Sequence, residues 1–217
     1  MRMNFTELEI RVLGSLMEKE LATPESYPLT LNALASACNQ KSNREPVMNL
    51  SEPDLLRGLE ALGARGLARL TTTGGRVPKY CHSVEQKMGL DAPSRAVLAE
   101  LMLRGPQTAS ELRSRGERMV EILDIEGLLL KLQQHGPPLV VKLPRQSGRK
   151  EPRYLQLLAG MPELPEEEEA DTPPRTAAVR APAAHQRLQT LEEGVGTLRE
   201  EIAALRHEVE EMIAAFS

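Results

Sequence analysis

Gly75-Arg76-Val77-Pro78-Lys79-Tyr80 returns as Gly148-Arg149-Lys150-Glu151-Pro152-Arg153-Tyr154, and each copy follows a helix-patterned stretch and a short β-rich run. A recurrence of this kind restricts the fold more than any single motif, because one small unit must be built twice. The correspondence extends upstream. Val12-Leu13 and Leu16-Met17 match Val97-Leu98 and Leu101-Met102, and Thr30 and Leu34 match Thr108 and Leu112. Asp54, Leu55, Leu59, Leu62 and Gly66 match Asp124, Ile125, Leu129, Leu132 and Gly136 without a gap.

Each unit reads as helix, helix, helix, hairpin, the layout of a winged helix. Thr6 and Glu9 have capping-box spacing, and Leu8, Val12, Leu13, Leu16 and Met17 then form one apolar stripe that ends before Pro24 and Pro28. A second helix is expected over Thr30 to Cys38, with Leu31, Leu34 and Ala35 inward. A third starts at Ser51, with Glu52 and Asp54 in its first turn, where negative charge suits the helix dipole, and ends at Gly66. Leu67 to Thr72 and Lys79 to Val84 are expected as strands around a Gly74-Gly75 turn. In the second unit Thr108 and Glu111 form another capping box, and Leu139 to Leu143 and Arg153 to Leu157 supply the hairpin. The expected class is mainly α with small β-hairpins, that is α+β, as two tandem winged-helix domains at residues 1–88 and 89–160.

Two further segments follow. Residues 161–183 are rich in proline, alanine and acid, including Glu166 to Glu169, and offer almost nothing to bury, which predicts an extended or disordered linker. Over residues 184–217, Leu188, Leu191, Val195, Leu198, Ile202, Leu205, Val209, Met212 and Phe216 step alternately by three and four, as in a coiled-coil seam. Leu188, Val195, Ile202, Val209 and Phe216 take the a positions, and Leu191, Leu198, Leu205 and Met212 the d positions. That mostly β-branched a set favours a parallel homodimer, whereas a single amphipathic helix folded back on the domains is the alternative. Gly194 and Gly196 oppose helix there by about 1 kcal/mol each.

The formal charge of −4 over 217 residues conceals an asymmetry. Residues 1–160 hold 22 Lys and Arg against 18 Asp and Glu, and residues 161–217 hold 5 against 13. The positive charge collects on the hairpins: Arg69, Arg76 and Lys79 on the first, and Lys142, Arg145, Arg149, Lys150 and Arg153 on the second. Wings of this kind suit the phosphate backbone of duplex DNA, which rewards positive charge while revealing little sequence. A solvated turn that serves solubility is the other reading. Lys41 and Arg44, in the polar run Asn39 to Pro46, could join the same phosphate contacts or serve only to close a turn. The third helices carry more acid than base, Glu52, Asp54 and Glu60 against Arg57 and Arg65, and Asp124 and Glu126 against Lys131, and their preceding connections exceed those of a compact helix-turn-helix, so direct base reading is not expected.

Other classes are excluded or disfavoured. Cys38 and Cys81 are too few for a disulfide framework, the N-terminus lacks a secretory core, and a cytoplasmic setting follows. No apolar run reaches the ~20 residues that span a bilayer. Five aromatics in the whole chain leave little for stacking single-stranded bases. Cys81-His82 is the only close Cys/His pair, read as a buried thiol beside a surface imidazole rather than a zinc site. With no phosphate loop, nucleophile elbow or HExxH helix, no enzyme and no cofactor is expected.

The run Thr23-Pro24-Glu25-Ser26-Tyr27-Pro28-Leu29-Thr30-Leu31-Asn32-Ala33-Leu34, continuing through Ala37 to Val47, resembles the bacterial YceH family. Gly105-Pro106-Gln107-Thr108 with Glu111-Leu112-Arg113, and Leu143-Pro144-Arg145-Gln146 with Gly148 to Tyr154, are similar to motifs of its second domain. The resemblance covers about residues 5–160 and implies a tandem winged-helix fold, often with a C-terminal coil, in a family without an established biochemical function. It transfers no catalytic or ligand-binding residues. Two partners therefore compete: double-stranded DNA held by the paired wings of a dimeric regulator, or an unidentified protein docked on the tandem domains as on an adaptor.

Overall fold

Thr6 opens helix α1 (Glu7–Ala22) through a reciprocal capping box, its hydroxyl accepting from the Glu9 amide while the Glu9 carboxylate accepts from the Thr6 amide. The computed structural model describes residues 4–71, 77–144 and 151–160. Every residue from Glu9 to Glu18 is buried, so α1 passes through the interior instead of lying on it. A short 3₁₀ turn (Pro24–Ser26) and strand β1 (Leu29–Thr30) lead into helix α2 (Leu31–Cys38), whose N-cap is Thr30. Ser51 and Asp54 then form the capping box of helix α3 (Glu52–Ala64). Strands β2 (Ala68–Thr71) and β3 (Lys79–His82) make the first hairpin.

The second half repeats this order. Helix α4 (Val84–Met88) ends at Gly89, which takes a left-handed φ of 65° that a side chain would disfavour. Helix α5 (Ala92–Arg104) corresponds to α1 and is likewise buried all round, from Ser94 to Leu103. Helices α6 (Ala109–Gly116) and α7 (Ile125–Gln133) follow, α6 with the Thr108/Glu111 capping box, and strands β4 (Val140–Lys142) and β5 (Tyr154–Gln156) close the unit. The protein is thus mixed, seven helices among the described residues with two small antiparallel sheets.

Two elements depart from the sequence reading. Val84 starts a helix where the returning strand was expected to continue, because the ladder stops at His82 and the Val84 amide donates instead to the His82 ring. The first sheet is also a three-stranded one, ordered β1-β3-β2, with Leu29 opposite Tyr80 and Ala68 opposite His82. Gln107 plays the part of β1 in the second half, exchanging two backbone hydrogen bonds of 3.1 and 2.7 Å with Tyr154. The linker expected at 161–183 and the coil at 184–217 lie outside the described residues.

One hydrophobic cluster runs through both halves, joining Leu13, Leu16, Leu34 and Leu62 to Leu98, Leu101, Leu112 and Leu132. Each leucine removed this fully from water contributes roughly 1.5–3 kcal/mol. Helices α1 and α5 make the most extensive helix–helix contact of the described residues. A Cβ on Gly14 would stand 3.1 Å from Met102 Cβ and 3.2 Å from Leu103 Cγ, so hydrogen in place of a side chain sets how closely these helices approach. The boundary near residue 88 divides the repeat but not the core.

Candidate nucleic-acid interface

Burying α1 and α5 on all sides carries Glu18, Glu100 and Arg95 into the interior with their apolar neighbours. Buried charges must be paired, and here the pairs are made both within each half and across the repeat boundary. Arg44 is one of the partners. Expected among the phosphate contacts, it is 4% exposed. Its guanidinium forks onto the Glu18 carboxylate, and Nε and Nη2 donate to the Ala37 carbonyl at 3.0 and 2.8 Å. No face of it is left for a phosphate, which corrects the sequence reading.

Arg118, in the connection after α6, completes the arrangement by donating at 2.6 Å to both Glu18 Oε1 and Glu100 Oε1. Burial alone would push the Glu18 carboxyl up. The hydrogen bonds and charge of Arg44, then those of Arg118, outweigh it and hold Glu18 below the ordinary carboxylate range.

A second buried group corrects the imidazole. His82 is 6% exposed instead of lying on the surface. Its Nδ1 accepts from the Val84 amide at 3.2 Å, which leaves the ring proton on Nε2, 2.9 Å from Glu20 Oε2. Arg95 reaches the same oxygen at 3.3 Å and Glu85 at 3.0 Å. Cys81, next along the strand, points away toward the Arg69 carbonyl, and burial raises its thiol above the usual value. Burial raises the Cys38 thiol to about 11 as well, so neither cysteine is poised as a thiolate. Among the described residues no group of three or more His, Cys, Asp or Glu could hold a metal ion, and no helix is long and apolar enough to cross a membrane.

The remaining hairpin cations divide clearly. Arg69 and Lys142 are exposed and Lys79 half-exposed, and none of the three forms an ion pair among the described residues. Lys41 is also exposed and forms no ion pair among the described residues. Arg153 is committed inward, donating to the Pro106 carbonyl at 2.5 Å and lying 3.5 Å from Glu111. Arg76, Arg145, Arg149 and Lys150 lie outside the described residues, as do the dimerisation positions Leu188 to Met212. Cations on or beside the third helices are all consumed: Arg57 by Asp54, Arg65 by Glu9 at 3.0 Å, and Lys131 by Asp91 at 2.6 Å. Arg65 also stacks 4.5 Å over the Phe5 ring.

Sequence reasoning passed over Arg104, Arg115 and Arg118. Arg104 was within reach of it, since Glu100 and Arg104 have i,i+4 spacing and pair at 3.0 Å. Glu18, an acid set among the inward residues of the first helix, was the other legible sign of a buried partner.

These features define an α+β protein with a duplicated helix-and-hairpin unit, a charged seam inside it and free cations on its hairpin strands. The chain belongs to the family described as "Protein of unknown function, DUF480", which it matches over residues 5–149. It is 70% identical over 226 residues to a UPF0502 protein of Citrifermentans bemidjiense, covering 100% of both chains. A UPF0502 protein of Geotalea uraniireducens is 60% identical over 202 residues, 92% of each chain, and one of Pelobacter propionicus 47% identical over 224 residues, 100% of each.

Proposed function

We propose that the protein is a non-enzymatic DNA-binding regulator whose two halves are winged helices, as the resemblance to the YceH family implies, and whose wings contact the duplex backbone. The observation that carries this reading is the partition of cations. Arg69, Lys79 and Lys142 on the hairpin strands have no carboxylate partner among the described residues, whereas Arg57, Arg65 and Lys131 around the third helices are neutralised. Such a surface suits sequence-independent phosphate contact better than base reading. Residues 184–217 pair two copies as a coiled coil and set the spacing of their wings, in a cytoplasmic homodimer. The acidic segment 161–183 competes for the same wings at high effective concentration.

Titration of a mixed-sequence duplex at two salt concentrations tests the proposal, with each phosphate contact adding about 0.9 to the logarithmic salt slope. Reversal of Arg145, Arg149 and Lys150 to glutamate should abolish the salt-sensitive binding, and Arg69→Glu with Lys142→Glu should weaken it. Absence of binding at low salt would refute the reading. Sedimentation with and without residues 184–217 tests the dimer, for which a monomer in both cases is the negative result.

A protein-docking adaptor is the second reading, favoured by α7. The helix exposes Leu130 by 52% and the segment leading into it Leu123 by 79%, with Glu121, Asp124 and Glu126 exposed nearby in sequence, acids that repel phosphate beside apolar side chains that suit a protein contact.

A further inference from the structure

The ion pairs at the seam between the halves form one continuous chain. Arg44 holds Glu18, Glu18 shares Arg118 with Glu100, and Glu100 holds Arg104. The Glu100 carbonyl accepts from Gln107 Nε2 at 3.0 Å, while Gln107 Oε1 accepts from Arg115 at 2.6 Å. Arg115 then meets Glu111, and Glu111 meets Arg153. Five guanidiniums are therefore served by three carboxylates, a surplus of two positive charges inside one connected network.

The surplus is presented to solvent. Both Arg118 contacts use Nη2, Arg104 uses Nε and Nη2, and Arg115 uses Nη1 and Nη2. Arg118 Nε and Nη1, Arg104 Nη1 and Arg115 Nε thus donate to no described protein atom. The Arg115 and Arg118 side chains are each 35% exposed and that of Arg104 19%. Their carboxylate partners fix the side chains in advance, so an incoming anion would not have to order them. Burial lowers Arg104 below its ordinary value, Glu100 opposes this, and the charges of Arg115 and Arg118 add to it, as expected for neighbouring guanidiniums, whereas Arg118, despite its burial, is held above its ordinary value by Glu100 and Glu18. Two acids stand on the hairpin side of this group: Glu45 and Glu151 line a cleft of about 350 Å³ with Arg104 and Arg153. Arg113 and Glu117 pair with each other at 3.8 Å. Arg115 and Arg118 are the more exposed members of the group.

The geometry points to an anion site at this seam, in which Arg104, Arg115 and Arg118 together hold a phosphoryl group. Guanidinium donors fixed in a plane match phosphate oxygens in direction as well as charge, and a doubly charged phosphate ester balances the surplus of two. The site is separate from the hairpins and does not depend on their binding DNA. Its phosphate has two sources: a free ester or pyrophosphate, or a phosphodiester of a duplex.

The experiment is an NMR titration of the full chain, following the arginine Nε–Hε signals of Arg104, Arg115 and Arg118. Inorganic pyrophosphate is added in one arm and a short mixed-sequence duplex in the other, both at ionic strength matched with sodium chloride. Pyrophosphate is expected to shift all three signals and to raise the thermal midpoint beyond the chloride control. Arg115→Gln is the variant of choice, because Glu111 keeps the Thr108 amide and Arg153 as partners, whereas loss of Arg118 strips two buried carboxylates. It should weaken pyrophosphate binding at least tenfold, and, because the buried Gln107 Oε1 loses its donor, lower the midpoint without ligand modestly while leaving a single cooperative melting curve. Shifts with pyrophosphate alone assign a free phosphate ester, and shifts with duplex alone assign a backbone phosphodiester. Signals unmoved in both arms, or binding undiminished in Arg115→Gln, overturn the site. Neither outcome decides the wing reading, which is measured by reversing Arg69 and Lys142.

Discussion

Arg44 and Glu18 show how far a side chain's role depends on partners distant in sequence. The pair is almost wholly out of water, with side chains 0% and 1% exposed, so removing one member strands the other. Arg44→Met should cost about 3–5 kcal/mol, since Glu18 would retain only its shared contact with Arg118. Urea denaturation of parent and variant measures this. The same pair sets an acid limit. Glu18 is held below the carboxylate range it has in the unfolded chain, so its contribution is complete above roughly pH 4.3 and is lost as pH falls through the lower folded value. Stability measured from pH 6 to pH 3 should therefore fall less steeply in Glu18→Gln than in the parent, and equal slopes would refute the assignment. The polar composition around Arg44 was legible in the sequence, but its burial was not. Nothing local reveals that a residue in a loop of Asn and Ser folds back on a carboxylate 26 positions earlier.

Among elements, those announced by their own termini were the ones read correctly. Thr6 with Glu9, Thr30, Ser51 and Thr108 with Glu111 each satisfy orphan amides at a helix start, and all four helices begin where those residues place them. Strand β1 was missed because two residues cannot show alternation, and α4 because five residues show no helical period. The α1–α5 contact was likewise invisible. Two buried helices of matching pattern state that each packs against something, and only Gly14 in the middle of α1 hints at how closely. Gly14→Leu should destabilise the protein by about 1–3 kcal/mol through overpacking against Met102 and Leu103. An unchanged denaturation midpoint would show that the helices part freely. Thr30→Ala should cost about 1 kcal/mol by the same measurement, from loss of the cap on the Ala33 amide.

At the scale of the whole molecule, a shared core makes the repeat behave as one body. The described residues lie within the single unit Met1–Leu164, and heat should unfold them in one transition, with calorimetric and van't Hoff enthalpies in agreement. Two resolved transitions would mean that each half is stable without the other. The candidate interface was legible only as a list of cations, because a sequence displays charge and not whether it is already spent. Among the described residues Arg153 and Arg44 are spent, while Lys142 and Arg69 are not. Gly14 carries a further consequence. Because α1 and α5 cover each other, a fragment ending near Met88 would carry a bare greasy stripe into water. Neither piece is then a module that can be cut out, and two separately made fragments would be driven to find each other and rebuild the parent.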